Sequence, residues 1–355
     1  MIDILKGAAI SMVLVVHSAN LFQLPGPWNY LFSYGQMGTQ LFFLLSAFSL
    51  SLSWSRKQGS ERSFRTYFVR RIQRIAPGYW FMILLYALIA FAAGDLLHQE
   101  IPLPIDRDPL HVLVNVLFLN GLVPDANNLV VLSGWYVGTA MILYALFPFL
   151  YSLYERGCRR RRSAITMAVF LAVLAVRVII ELFNHYTYYS GNNSFMYFSF
   201  INQLPVFCLG IQLFFDQKAG GMKRVPAVIL AAACTLLSLC LFQFNNVPVF
   251  TIIPFVSGCS FYCLYSALAG IHVNEASVPA RILASFGRHS YAVYLGQPLV
   301  IFWGLAALVS RHSITVQSVG TYLLLLAPVF VLCYLLGRAL EISSGFCFRW
   351  IEKLK

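Results

Sequence analysis

Two places in this sequence join residue type and spacing in a way that could do chemistry. Of its seven histidines, His17 alone lies in the middle of a long apolar run. A titratable ring at such a depth costs free energy unless it is paired or used, which makes it a functional candidate. Lys6 precedes it by eleven residues. On an α-helix that is about three turns and ~16 Å of rise, so the two share a face, with Asp3 close to Lys6. One helical stripe would link a charged membrane surface to an imidazole in the interior. A neutral histidine hydrogen-bonded between helices for packing fits the same position equally well.

The second place runs from Phe64 to Trp80, FRTYFVRRIQRIAPGYW. Arg70 and Arg74 are one helical turn apart and share a face, with Arg71 beside them, while Phe68, Ile72 and Ile75 can point toward lipid. Guanidiniums suit phosphate because each presents a planar fork of donors that matches two phosphate oxygens. An acyl-CoA, with its several phosphates, is a natural ligand for such a cluster. On the residues alone a plainer reading is stronger: a basic membrane edge in contact with anionic lipid. Further on, Arg177 and Glu181 sit at i and i+4, where an intramembrane pair could line a polar cavity; a pair that snorkels near the outer surface is favoured. The eight cysteines include no CxxC and fall mostly in apolar stretches, so neither a disulfide framework nor a metal site is expected. A GxSxG elbow, a Walker-type loop and an HExxH helix are absent.

The elements that must position these groups are membrane helices. Of 355 residues, 59% are hydrophobic and 11% charged, against about 25% charged in a soluble domain. Crossing ~30 Å of hydrocarbon takes about 20 helical residues. Ten stretches qualify: Gly7 to Leu24, Met37 to Trp54, Pro77 to Ala93, Leu132 to Tyr154, Ala164 to Phe183, Phe198 to Phe215, Val225 to Phe242, Val249 to Ala269, Tyr291 to Val309 and Tyr322 to Leu340. The expected fold is an all-α polytopic bundle forming one domain, residues 1–355. Lys6 before an apolar run imitates a signal peptide, but His17 stands where a small residue would precede cleavage, so the segment reads as a retained helix.

With the N-terminus inside, 22 of the 25 Lys and Arg fall on one side, Arg107 and Arg311 on the other, and Arg177 within a span. A basic excess marks the cytoplasm, so both ends are expected there. Charge spread over short loops, and not gathered on one face, also argues against a nucleic-acid partner despite the net charge of +12. Outside, the longest connection is Gly94 to Val131. Its middle, His111 to Val123, is apolar but too short to span, which predicts a short helix on or dipping into the outer surface. The uncharged loop Asn184 to Tyr197, rich in Tyr, Asn and Ser, suits carbohydrate hydroxyls and equally any wet loop.

Several of these stretches resemble the bacterial integral-membrane acyltransferase 3 family, typified by O-acetylases of cell-surface polysaccharides. DILKGAAISMVLVVH, Asp3 to His17, is similar to its first signature: an acidic residue, a basic-Gly pair, then His eleven residues after the basic one. GTQLFFLLSAFSLSLS from Gly38 resembles its second helix, with Ser46 in the FF-x-x-S-x-F core, and FVRRIQRIAPGYW reproduces a basic RxxxR followed by Ile-x-Pro-x-Tyr-Trp, which includes Tyr79. GWYVGTAMILYALFP from Gly134, with Trp135 and Tyr144, and FGRHSYAVYL from Phe286 are similar to later signatures. The chain departs from the pattern at Lys6 (usually Arg), Thr39-Gln40 (Val-Asp), Ala47 (Gly), Ala140 (often Glu) and Gln297 (often His).

The resemblance implies that His17 is the catalytic histidine, and that Lys6, Arg70, Arg71 and Arg74 belong to the acyl-CoA and catalytic apparatus. Asp3, Ser46, Tyr79, Trp135 and Tyr144 would support them. It implies acetyl-CoA or another acyl-CoA as co-substrate with no bound cofactor, and a polysaccharide or lipid-linked sugar as acceptor. The setting would be the bacterial inner membrane, with membrane lipid as a further partner. His17 would serve as general base or transient acyl carrier, roles that use the neutral imidazole available from an ordinary pKa of about 6.5. A flippase for a lipid-linked sugar and a non-catalytic scaffold of the same fold are the competing classes.

Overall fold

The computed structural model describes residues 1–22, 24–57, 63–92, 105–184, 195–244, 247–271, 274, 276–311 and 318–353. The elements are α1 (Ile2–Ala19), α2 (Gly26–Ser33), α3 (Gly38–Ser55), α4 (Phe64–Ile89), α5 (Pro109–Val116), α6 (Trp135–Glu155), α7 (Arg159–Asn184), α8 (Phe195–Phe198), α9 (Phe200–Lys218), α10 (Arg224–Phe242), α11 (Val247–Leu268), α12 (Val278–Arg288), α13 (Ser290–Pro298), α14 (Ala306–Arg311) and α15 (Val319–Lys353). Among the described residues no strand occurs, and ten helices are long and apolar enough to cross a membrane.

The ten spans fall where hydropathy places them, with shifted ends. α1 begins at Ile2, so Lys6 lies inside it, and it stops at Ala19, short of Leu24. α4 begins at Phe64, so the arginines and the span after Pro77 form one continuous helix. A basic, amphipathic first turn extends a span beyond the purely apolar stretch that hydropathy measures. Residues 93–104 and 185–194, which include most of the Asn184–Tyr197 loop, lie outside the described residues.

The chain folds into two compact units. The first comprises Met1–Thr39, Ile72–Val137 and Asn274–Lys355. Here α1 lies against α12, an eleven-residue amphipathic helix that carries Arg281 and Arg288 in the connection between the expected spans Val249 to Ala269 and Tyr291 to Val309. It is too short and too charged to register as a span. The two helices touch backbone to backbone: a Cβ on Gly7 would collide with the Leu283 carbonyl, and one on Gly287 with the Asp3 carbonyl. Within lipid, such small-residue contacts are what bring helices close enough to pack. α13 packs on α15 in the same manner, with Gly337 against the Val293 backbone.

The expected short helix outside the spans is α5, with Asp108 capping it by accepting from the Leu110 and His111 amides. It ends at Val116, before the expected Val123. Its Asn115 accepts from the Tyr79 hydroxyl at 2.7 Å and donates to the Ala126 carbonyl, while the Trp80 indole donates to the Val116 carbonyl. These bonds tie the segment to α4.

The second unit comprises Gln40–Arg71 and Gly138–Val273. The kink between α8 and α9 frees backbone carbonyls in an apolar setting, where each must find a donor. Asn202 and Gln203 donate to Tyr197 and Thr139 donates to Phe198. At the far end of α9, buried Asp216 accepts from Tyr262 at 2.6 Å and from Gln212 at 3.2 Å, and lies 3.9 Å from Arg159 and 3.8 Å from Arg162. A buried carboxylate held this way ties α7, α9 and α11 together.

Candidate functional site

His17 sits in the last turn of α1 and is half-buried. Its Nδ1 lies 2.9 Å from the side-chain oxygen of Gln297 on α13. A carbonyl oxygen only accepts, so Nδ1–H donates and the lone pair resides on Nε2. Gln297, fully buried, turns its amide nitrogen to the Ser133 hydroxyl at 3.3 Å. The Ser133 carbonyl accepts from the Tyr294 hydroxyl at 2.9 Å. Ser133 has φ +65°, a left-handed conformation costly for a residue with a Cβ. Two bonds from α13 therefore stabilise the strained residue whose hydroxyl completes the chain Ser133–Gln297–His17. Phe302 closes on the same ring, with centroids 5.3 Å apart and planes at 45°. It belongs to a π-helical stretch, Leu299–Leu305, that continues α13. Such stretches recur at functional sites.

Eight residues before Gln297, His289 lines a cavity of about 410 Å³ together with Arg74, Gly78, Arg288, Tyr291, Leu295 and Glu341. The Tyr291 hydroxyl donates to the Ile75 carbonyl at 2.8 Å and pins α13 to α4. His289 Nδ1 lies 2.8 Å from the Glu341 carboxylate, and the Arg338 guanidinium nitrogen lies 2.6 Å from Nε2 and 2.9 Å from Nδ1. Arg74 and Arg288 bring two guanidiniums to one opening, a pattern suited to a polyphosphate. The eight residues from His289 to Gln297 are about 12 Å of helical rise. A second opening of about 530 Å³ beside it is lined by Asp3, Arg281, Ser285 and Arg288.

The first unit thus gathers Asp3, Lys6, His17, Arg74, Tyr79 and Trp135. Lys6 is half-buried on the α1 face that carries His17 three turns later. Tyr79 is wholly buried and commits its hydroxyl to Asn115, anchoring α5. Trp135 opens α6 two residues after Ser133 and is buried. Arg70, Arg71, Ser46, Tyr144, Arg177 and Glu181 belong to the second unit. Arg70 is exposed, and the Arg71 guanidinium lies 5.9 Å from the Tyr67 ring. Ser46 is half-buried on α3, and the Tyr144 carbonyl accepts from the Tyr67 hydroxyl at 3.1 Å. Arg177 does not snorkel: it is 3% exposed, and its Nε donates to the Thr251 hydroxyl at 3.1 Å. The side chain of Glu181 lies outside the described residues.

Sequence reading passed over Gln297 and Ser133 as site residues. Gln297 drew notice only as a departure from a pattern, although an amide inside an apolar run is itself a signal.

Compared with known proteins, residues 1–338 match the family model described as an acyltransferase domain. No curated protein and no solved structure matches the chain.

Proposed function

The chain belongs to the acyltransferase 3 family of multi-pass membrane proteins, and on that premise we propose that it is an O-acetyltransferase. It moves an acetyl group from cytoplasmic acetyl-CoA to a hydroxyl of a cell-surface or lipid-linked carbohydrate. The membrane is the bacterial inner membrane, with both termini in the cytoplasm, a reading supported by the one-sided distribution of Lys and Arg.

The observation that carries the proposal is the hydrogen bond that commits His17 Nδ1 to Gln297 and leaves Nε2 as a lone-pair site. In the direct route the acceptor oxygen attacks the thioester carbonyl carbon, the new C–O bond forms and the C–S bond breaks. Nε2 takes the hydroxyl proton and returns it to the departing thiolate, giving free CoA. In the two-step route Nε2 itself attacks and an acyl-imidazolium forms as the thiolate leaves; the acceptor oxygen then takes the acyl group, and its proton passes by way of the freed Nε2 to the thiolate, regenerating the neutral ring and free CoA. In either route the phosphates lie toward the arginines of α4, of which Arg74 opens onto the cavity, while Lys6 adds charge on the α1 face below the imidazole.

The test is CoA release by the purified protein supplied with acetyl-CoA and acceptor glycan. His17→Ala is expected to abolish it. Turnover that survives in this variant excludes both routes.

A further inference from the structure

We infer that Phe302 is the stop that limits the length of the transferred acyl chain. The inference rests on the acyl-CoA reading above and adds the group that decides which acyl-CoA is used.

The argument follows the order of side chains along one stretch. Arg288 and His289 line the guanidinium cavity, Gln297 holds the imidazole about 12 Å further on, and Phe302 follows five residues later. In an α-helix, five residues would turn Phe302 about 140° away from the Gln297 face. The stretch Leu299–Leu305 is π-helical, turns less per residue than an α-helix, and so changes the direction in which position 302 faces. The Phe302 ring meets His17 at 5.3 Å, and position 302 lies beyond Gln297 along the chain from the residues that line the cavity. The neighbouring Trp303 stands edge-on to Tyr86 at 6.1 Å, which braces the π-helical stretch against α4.

A thioester with its nucleotide at the cavity presents its carbonyl to Nε2 and points the rest of the acyl chain onward, toward Phe302. A two-carbon chain ends before the ring; a longer one runs into it. One methylene too many in a fitted pocket costs about tenfold or more in kcat/KM.

The experiment measures CoA release from acetyl-, propionyl-, butyryl- and hexanoyl-CoA by membranes holding the full chain, with Phe302→Ala and Phe302→Trp beside the wild type. The wild type is expected to lose about tenfold per added methylene. Phe302→Ala should raise the butyryl-to-acetyl ratio by at least about tenfold. Phe302→Trp should lower the propionyl-to-acetyl ratio by at least about tenfold, a gain of selectivity that a damaged fold does not produce. A chain-length profile unchanged in both variants overturns the Phe302 assignment and leaves the acyl-CoA reading standing. A wild type that cleaves none of the four thioesters overturns that reading, and this inference with it.

Discussion

Replacing Gln297 by Leu, which nearly preserves volume, removes the acceptor for His17 Nδ1–H. The bond is 2.9 Å long and Gln297 has no exposure, so little water is at hand to substitute for the lost amide. A hydrogen bond of this kind is worth about 1 to 1.5 kcal/mol net. That amount biases the imidazole toward the tautomer with its lone pair on Nε2 by roughly five- to tenfold. Once the bias is gone, the productive tautomer is a minor or equal form and the ring can rotate. The expected result is a fall of about two- to fivefold in kcat, with the KM for acetyl-CoA within about twofold because the cavity of Arg74 and Arg288 is untouched. CoA release followed by thiol titration reads both constants. A Gln297→Leu enzyme with wild-type kcat would refute the claim that this amide orients the imidazole, whatever else His17 does. A rise in KM at constant kcat would refute it as well, by placing Gln297 in donor binding.

Arg74→Gln is expected to raise the KM for acetyl-CoA about tenfold, in keeping with one charge-assisted phosphate contact of 1.5 to 3 kcal/mol, and initial-rate kinetics decide it. Gly7→Ala and Gly287→Ala each force a methyl into an opposing backbone carbonyl across α1 and α12, so thermal unfolding in detergent should show each destabilised by about 1–3 kcal/mol or more. The hydrogen bond from His111 to the Asp106 carboxylate raises the histidine above its ordinary 6.5, against an opposing effect of burial. Since the folded value is the higher one, this contribution is complete below 6.5 and fades as pH rises through the raised value. The melting-temperature difference between wild type and His111→Gln should accordingly shrink as pH increases. At the start of α7, backbone amides of Arg161 and Arg160 and the charge of Arg162 lower the Cys158 thiol below its ordinary 9.0. Cys158 is exposed, and iodoacetamide should label it with a rate–pH midpoint below that of free cysteine; an equal midpoint counts against the assignment.

The ten spans were legible because lipid demands long apolar helices whatever their neighbours are, and the pairing of Lys6 with His17 needed only helical periodicity. Three features escaped because each depends, in whole or in part, on residues far apart in sequence. α12 is short and amphipathic, and only its contact with α1 gives Gly7 and Gly287 their meaning. Gln297 acts across 280 residues of chain. Arg71 and Arg74 look alike in sequence, yet one stacks near Tyr67 and the other opens onto a cavity with Arg288. The burial of Arg177 is likewise set at long range, its Nε donating to Thr251 across 74 residues of chain.

Ser133 carries a consequence for how this chain can vary. Its backbone favours glycine, while its side chain is an anchor that glycine lacks. Replacement by Gly would relax the loop and release the amide; replacement by Thr or Ala would keep a Cβ in a conformation that resists one, and Ala would lose the hydroxyl too. None of these three exchanges both relieves the tension and preserves the alignment. The freedom to drift at the approach to α6 is thereby narrower than for an ordinary connecting segment.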